Sequence, residues 1–144
     1  MEPNIQPERR NEKIAEERLF NCKVYYEDTD CMGVVYHANY LKYLERARSD
    51  YIEDRLSTVA DYHNRGYYFM VHKIEIVFHA PAKLGDNIIV RTWIEKTTRF
   101  RVVARQIITR EGEPKDYLVT ATVTLVGVDT DGELIPIPQE IQDL

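Results

Sequence analysis

A short stretch of the chain holds residues whose types and spacing are able to do chemistry together. Asp28, Asp30, Gly33 and His37 come immediately before a segment with the apolar spacing of a helix. The first N–H groups of a helix lack partners within the helix and carry partial positive charge, so they stabilise anions and developing oxyanions. Asp30 lies nearer than Asp28 to this helix start and to Gly33. Asp30 is therefore the better candidate for a reacting carboxylate.

Each of these residues also has a purely structural interpretation. Aspartate is common in turns because its side chain bonds to nearby backbone groups, which leaves both roles open for Asp28 and Asp30. A lone histidine near a helix start, such as His37, is more often structural than catalytic. Cys31 is a conceivable nucleophile, but the neighbouring carboxylate disfavours the reactive thiolate.

A strand and a helix are predicted on the two sides of this stretch. The segment 20–27, FNCKVYYE, is rich in residues that favour strands. Asn39 is a plausible N-cap whose side chain would accept a bond from an early backbone N–H. The apolar residues after it recur at helical spacing over roughly four turns, and they are Tyr40, Leu41, Leu44, Ala47, Tyr51 and Ile52. Glu45 and Arg48 border this stripe, either as a buried polar pair or as its edge.

The second half of the chain has the pattern of an antiparallel sheet. A short helix over Ser57–Asn64 is expected to end at Gly66. Alternating apolar residues then predict four strands, at Tyr67–Ala80, Asn87–Thr98, Arg101–Arg110 and Asp116–Val128. The connections AKLGDN and EGEPKD contain the Gly, Asp and Pro typical of hairpins. We therefore predict an α+β domain in which about five strands wrap around one long helix.

Composition limits the classes of function. The chain has 144 residues, 44% of them hydrophobic and 30% charged, which is typical of one globular domain. Its net charge of −5 argues against nucleic-acid binding, which depends on neutralising phosphates. The beginning of the sequence is polar and lacks the apolar region of a signal peptide, and no apolar run is long enough to span a bilayer. We expect a cytoplasmic protein with two free thiols and no metal site.

Two longer strings carry a resemblance to a known family. YYEDTDCMGVVYHANYLKYLERAR, residues 25–48, and FHAPAKLGD, Phe78–Asp86, closely resemble the 4-hydroxybenzoyl-CoA thioesterase family of hotdog-fold proteins. The likeness is strongest to the bacterial acyl-CoA thioesterases associated with the Tol-Pal envelope system and covers residues 23–128. It implies a curved sheet around a central helix, with a charged arm at 1–19, a hotdog thioesterase domain at 20–129 and a tail at 130–144.

The resemblance also implies roles for individual residues. Asp30 would be the catalytic carboxylate, either a nucleophile or a general base, and His37 would offer its backbone N–H to the thioester carbonyl. Arg99 and Arg101 are candidates for holding phosphates, although arginines on a strand are more often only solvated. The remaining residues expected to bind substrate are Tyr26, Gly33, Val34, Tyr36 and Asn39.

The expected activity is acyl-CoA thioester hydrolysis without a cofactor. A non-catalytic acyl-CoA or partner-binding hotdog module and a hydratase or dehydratase stay open as alternatives. The resemblance implies a homodimer with one continuous sheet, often assembled into a homotetramer. An acyl carrier protein and an envelope-system protein are further possible partners, whereas nucleic acid and stable membrane insertion are not expected.

Overall fold

The computed structural model of the protein describes residues 16–144. Residues 1–15 of the predicted arm lie outside this range. The first strand, β1, spans Arg18–Lys23, so it begins earlier and ends earlier than the segment 20–27 predicted from sequence. It is paired with the strand that begins at Asn87, and the pairing stops at the Lys23–Asn87 pair because that strand begins there. The last four residues of the predicted strand, 24–27, therefore lie outside β1.

The other strands form one antiparallel sheet with β1. They are β2 Tyr68–Phe78, β3 Asn87–Thr97, β4 Arg101–Arg110, β5 Glu113–Val128 and the two-residue β6 Leu134–Ile135. Their order is β1-β3-β4-β5-β2, with β6 beside β5. The prediction of an antiparallel sheet is confirmed, but β5 begins three residues before the predicted Asp116. The connection from β4 is a two-residue turn in which Gly112 has a φ of +80°.

Within residues 16–144, three helices complete the fold: α1 Tyr40–Arg55, α2 Val59–Asn64 and α3 Gln139–Gln142. α1 crosses the sheet and contacts β1 and β3. Its buried residues are Tyr40, Tyr43, Leu44, Ala47 and Tyr51. Leu41 was predicted to belong to this stripe but is 41% exposed. At 3.6 residues per turn, Leu41 lies outside the arc of the helix surface that the five buried residues occupy.

A polar residue lies at the centre of the contact between α1 and the sheet. The predicted inner face of β3, which includes Thr92, is buried as expected. Opposite Thr92, Gln106 of β4 is completely buried. Its Nε2 donates to the Leu44 carbonyl and to Thr92 Oγ1, both at 2.9 Å, and its Oε1 accepts from Arg48 at 3.0 Å. Gln106 therefore ties the helix to two strands with its side-chain groups satisfied.

The residues after 129 pack on the body of the domain. β6 pairs with the end of β5, and the side chains of Ile137 and Ile141 are buried in a cluster with Tyr62 and Tyr67. Gly127 makes room for one of these rings, since a Cβ at this position would lie 1.9 Å from Tyr67 Oη. The last segment thus contributes to the second half of the hydrophobic core.

β2 leaves one side of the sheet unpaired. Its partner β5 occupies one edge of the strand, and no strand of residues 16–144 occupies the other. Large apolar side chains near the two ends of β2 are exposed, namely Met70, Val71, Val77 and Phe78. The helices of the described part of the chain include none that is long and apolar enough to cross a membrane.

Candidate active site

Asp30 begins a tight turn between two short extended segments. The segments meet at an isolated bridge between Thr29 and Val35. Inside it, the Asp30 N–H donates to the Val34 carbonyl at 2.9 Å and the Gly33 N–H donates to the Asp30 carbonyl at 3.1 Å. Gly33 has a φ of +74°, a conformation that costs a glycine little. The backbone therefore fixes the direction in which the Asp30 side chain leaves the chain.

The Asp30 carboxylate is exposed, and one of its two oxygens accepts a hydrogen bond. Its Oδ1 accepts the Met32 N–H at 2.8 Å, which holds the side chain against the turn. Among residues 16–144, no hydrogen bond reaches Oδ2. One oxygen thus orients the group while the other is free for a substrate carbonyl or a water molecule.

The turn is bonded to the start of α1 through one carbonyl group. The Asp28 carbonyl accepts both the Tyr36 N–H and Asn39 Nδ2, each at 2.9 Å. Asn39 was predicted to cap α1 with its side chain, and this prediction is wrong. A 3-10 turn over His37–Asn39 leads into the helix, so Asn39 already has helical backbone angles and its side chain points back to the turn.

His37 is the first residue of that 3-10 turn. Its backbone N–H donates to no acceptor within the described residues, as is normal at the start of a helical segment. Its exposed ring packs against Tyr36 at 4.5 Å between ring centroids and lies 6.3 Å from Phe78. The ring is thereby fixed beside a helix start that still has an available donor.

A cavity of about 250 Å³ opens in front of this helix start. Its lining includes Val35, His37, Tyr40, Phe78, His79 and Pro81. The Tyr40 hydroxyl accepts the Ala82 N–H at 3.0 Å, and burial raises the pKa of Tyr40. A ring nitrogen of His79 lies 2.9 Å from Thr120 Oγ1. The wall is largely apolar, and its Tyr40 hydroxyl and one His79 nitrogen are already bonded, whereas the His37 backbone N–H has no partner among the described residues.

Tyr43 supports the turn from below. Its ring is buried and its hydroxyl has no hydrogen bond to the described residues. Burial raises the pKa of Tyr43 well above its usual range, and the nearby Asp28 carboxylate adds to this effect. The Asp28 carboxylate itself accepts the Tyr25 N–H at 2.8 Å. Asp28 therefore has a structural function through both its carbonyl and its side chain.

The structure brings most of the predicted substrate-binding residues into one loop, residues 29–39, which is the Asp30 loop. Gly33, Val34, Tyr36 and Asn39 lie on it, and Tyr26 is 83% exposed in a 3-10 helix, Tyr26–Asp28, that precedes the turn. Among residues 16–144, no group of acidic, histidine or cysteine side chains is arranged to hold a metal ion.

Arg99 and Arg101 lie elsewhere in the same chain. Arg99 belongs to the β3–β4 turn and Arg101 begins β4, whereas the loop contacts the residues just before β3. Arg99 and Arg101 therefore lie at one end of the β3–β4 hairpin and the loop contacts the other end. The length of one strand of about ten residues, or roughly 30 Å, separates them.

Lys83 is the basic residue that sequence reasoning did not select. An isolated backbone β-bridge joins Lys83 to Val34, so Lys83 lies directly against the Asp30 loop. Its position within the string FHAPAKLGD was the available signal, because that string also forms the neighbouring wall of the cavity.

Comparison with known proteins identifies the class. The sequence model of the thioesterase-like superfamily matches residues 24–144, and the chain belongs to that superfamily. The acyl-CoA thioesterase YbgC of Haemophilus influenzae is 34% identical over 126 residues, which cover 85% of this chain and 90% of that protein. A solved Bartonella henselae protein described as a probable thioesterase superposes with a TM-score of 0.80 at 30% identity and covers 85% of this chain and 100% of its own. The predicted hotdog fold is confirmed.

A second relative is more similar over a shorter match. The acyl-CoA thioesterase YbgC of Helicobacter pylori is 46% identical over 85 residues, which are 59% of this chain. The matched part spans 62% of the length of that relative. The fold and family of this chain are therefore shown.

Proposed function

We propose that the protein is an acyl-CoA thioesterase that hydrolyses a thioester to a free acid and CoA thiol. One observation carries the proposal: the turn that holds Asp30 is hydrogen-bonded to the start of α1, where the His37 N–H has no partner among residues 16–144. The loop thereby holds a carboxylate and an oxyanion donor in fixed relation to each other. The names of the Haemophilus and Helicobacter relatives support the same reaction.

In this mechanism the two groups have separate tasks. The thioester carbonyl oxygen binds at the His37 N–H, where the helix start stabilises the negative charge that develops during attack. One oxyanion donor of this kind is typically worth about 3 kcal/mol of transition-state stabilisation. The free Oδ2 of Asp30 provides the attacking group or activates water, while Oδ1 stays bonded to the Met32 N–H.

Two chemical routes fit this arrangement. Asp30 attacks the carbonyl carbon to form an anhydride and expels CoA thiolate, and water then cleaves the anhydride. Alternatively, Asp30 takes a proton from water, which attacks the carbonyl directly. A single turnover in ¹⁸O-labelled water followed by mass spectrometry of the protein tests the first route, because label in the Asp30 carboxylate requires an anhydride that water opens at the Asp30 carbon.

The test of the activity is thiol release from a panel of acyl-CoAs of different chain lengths, with one aromatic acyl-CoA and one acyl carrier protein thioester. Wild-type protein should release thiol, and Asp30→Asn should release none while keeping its fold. Cys31→Ser is the matched control, since Cys31 is the exposed next residue and should leave turnover unchanged. Acyl-CoA binding by the wild type without thiol release would contradict the proposal and favour the binding module. Alkene hydration in place of thiol release would favour a hydratase.

We further propose that two copies pair through β2 into one continuous sheet. β2 has an unpaired edge among the described residues and exposed apolar side chains near both ends. An edge strand of 11 residues is a ready template for pairing with its own copy. Antiparallel pairing would bring the Tyr68 end of one copy, where Arg99 and Arg101 also lie, beside the Phe78 end of the other. The two arginines would then join the Asp30 loop from the second copy.

Light scattering during size-exclusion chromatography tests this assembly. The wild type should be a dimer or a tetramer of two such dimers, and Val77→Lys should shift it toward monomer because it places a charge at the pairing edge. A monomeric wild type would contradict the proposal.

We also propose that the protein is located in the cytoplasm. The two free cysteines and the relatives' acyl-CoA chemistry support this location. An acyl carrier protein and a protein of the Tol-Pal envelope system are the proposed partners.

A further inference from the structure

A second cavity, of about 270 Å³, lies between the later turns of α1 and the sheet. None of its lining residues belongs to the cavity in front of His37. The two hollows lie toward opposite ends of β2, since Phe69 and Val71 border this one and Phe78 borders the other. The second cavity is thus separate, within one chain, from the proposed thioester site.

Most of the wall of this cavity is apolar. Side chains from α1, α2 and four strands contribute to it, among them Ile52, Val59, Phe69, Val71, Ile94 and Leu125. Its volume is just below the range of about 300–1,000 Å³ usual for ligand pockets. The cavity therefore fits a short aliphatic chain or a single ring better than a long acyl chain.

Arg48 brings a guanidinium into this apolar wall. Its Nη1 donates to Gln106 Oε1 at 3.0 Å, and that is the single hydrogen bond it makes to residues 16–144. Arg18, Arg55, Arg91 and Arg110 each form an ion pair with a carboxylate, but Arg48 forms none within the described residues. A guanidinium has five N–H donors, so several of them stay available.

The surroundings of Arg48 favour an anionic guest. Glu45 also lines the cavity, but it is exposed and its Oε1 accepts the Ser49 hydroxyl at 2.7 Å. Burial lowers the pKa of Arg48, and the Glu45 charge opposes this shift. Gln106 is locked by its bonds to Leu44 and Thr92, so it offers Arg48 only a neutral oxygen. A partly buried cation of this kind gains most from a charge-assisted bond to a carboxylate.

We propose that this cavity binds a carboxylate attached to a short apolar body, with the carboxylate on Arg48 and the body among the apolar side chains. Two sources supply such a group: a free monocarboxylic acid, and an acyl group that carries a second carboxylate at its far end and whose thioester lies at the Asp30 loop of a second copy paired through β2. The free acid is the product of the proposed reaction, so the link of either source to catalysis rests on the thioesterase proposal, whereas binding of the free acid itself does not. Bound product would then slow further turnover.

Binding is measured directly on the whole protein by calorimetry with hexanoate, and with hexanamide as a neutral probe of nearly the same shape. Hexanoate should bind and hexanamide should bind at least about tenfold more weakly. Arg48→Met should lose the preference for hexanoate, whereas Arg46→Met, an exposed arginine two residues earlier on α1, should bind as the wild type does. Equal binding of the two probes, no binding of hexanoate, or unchanged hexanoate binding by Arg48→Met would overturn the proposal.

A measurement on unmutated protein covers the case in which Arg48→Met does not fold. Methyl NMR spectra recorded with increasing hexanoate should shift signals of Ile52, Val71 and Leu125, and shifts confined to other residues would overturn the proposal.

Comparing adipoyl-CoA with hexanoyl-CoA as substrates then distinguishes the two sources of the carboxylate. A higher kcat/KM for adipoyl-CoA that disappears in Arg48→Gln assigns the carboxylate to the substrate, and equal values assign it to the free acid. Because calorimetry needs no turnover, a catalytically inactive protein would not affect the binding result.

Discussion

The two ends of α1 meet very different surroundings. At its start, an exposed loop is held by backbone hydrogen bonds and by the Asn39 side chain, while Tyr40 and Tyr43 pack into the core beneath it. Toward its end, Tyr51 belongs to a cluster of aromatic rings with Ile137 and Ile141. The comparison indicates that both ends contribute buried packing, whereas the start also carries an exposed loop whose hydrogen bonds maintain geometry for chemistry. Substitutions should therefore separate into those that change rate and those that change stability.

The largest loss of stability is expected at the far end, from Gly127→Ala. The new Cβ would lie 1.9 Å from Tyr67 Oη, inside the buried cluster. Overpacking of this kind costs about 3 kcal/mol of unfolding free energy, measured by chemical denaturation. The kcat of the folded fraction should stay near the wild-type value. Adding Tyr67→Phe removes the nearest atom and should restore part of the loss, and a double variant no more stable than the single one would contradict this explanation.

Among residues that position the site without reacting, the largest loss of rate without a comparable loss of stability is expected at the start, from Asn39→Ala. This change removes the bond from Nδ2 to the Asp28 carbonyl and so loosens the turn relative to the helix. A misplacement of about 1 Å costs up to roughly a hundredfold in rate. The free energy of unfolding should fall by only about 1 kcal/mol. The control is Asn64→Ala, an exposed asparagine on α2. Equal kcat values for the two variants would show that Asn39 does not position the site.

Gln106 lies between the two ends and tests how sharply they separate. Gln106→Leu would leave the Leu44 carbonyl and Arg48 without their partners in the interior, at a cost of about 2 kcal/mol of unfolding free energy. Since the Asp30 loop makes no recorded bond to Gln106, thiol release by folded protein should be nearly unchanged. A loss of rate like that of Asn39→Ala would show that the two ends are coupled.

The smallest effect concerns the two thiols. Burial raises the pKa of Cys22 to about 11, whereas Cys31 is exposed on the loop. Iodoacetamide at pH 8 should therefore label Cys31 quickly and Cys22 slowly, as mass spectrometry would show. Because folding favours the protonated Cys22 thiol, its contribution to stability is complete below pH 9 and is lost as the pH rises toward 11. Cys22→Ala should weaken that pH dependence, and equal labelling of both thiols in native protein would contradict the difference in burial.

Much of the architecture follows from local patterns in the sequence. The spacing of Leu44, Ala47 and Tyr51 predicts α1, and the alternation in β3 and β4 predicts strands whose bounds agree with the structure to within one residue. Gly66, with a φ of +81°, ends α2 as predicted. These features depend on residues close together in the chain, which is why periodicity detects them.

The parts that sequence did not predict depend on contacts between distant segments. Asn39 donates to a carbonyl 11 residues away, so its local capping preference does not decide its role. Within one chain the strand order places Arg99 and Arg101 at the other end of the sheet from the Asp30 loop, so their predicted role in binding phosphates depends on the proposed second copy. Pairing of distant strands also hid the buried position of Gln106, because alternation in β4 does not distinguish a buried amide from an exposed one.

The most direct test of the proposed mechanism is the single-turnover rate of thiol release by Asp30→Asn, measured by stopped flow with enzyme in excess over acyl-CoA. The central claim is that the Asp30 carboxylate carries out the chemical step. We predict a rate lower by on the order of 10³ or more, with acyl-CoA affinity and unfolding free energy close to those of the wild type. A single-turnover rate equal to that of the wild type would contradict the claim.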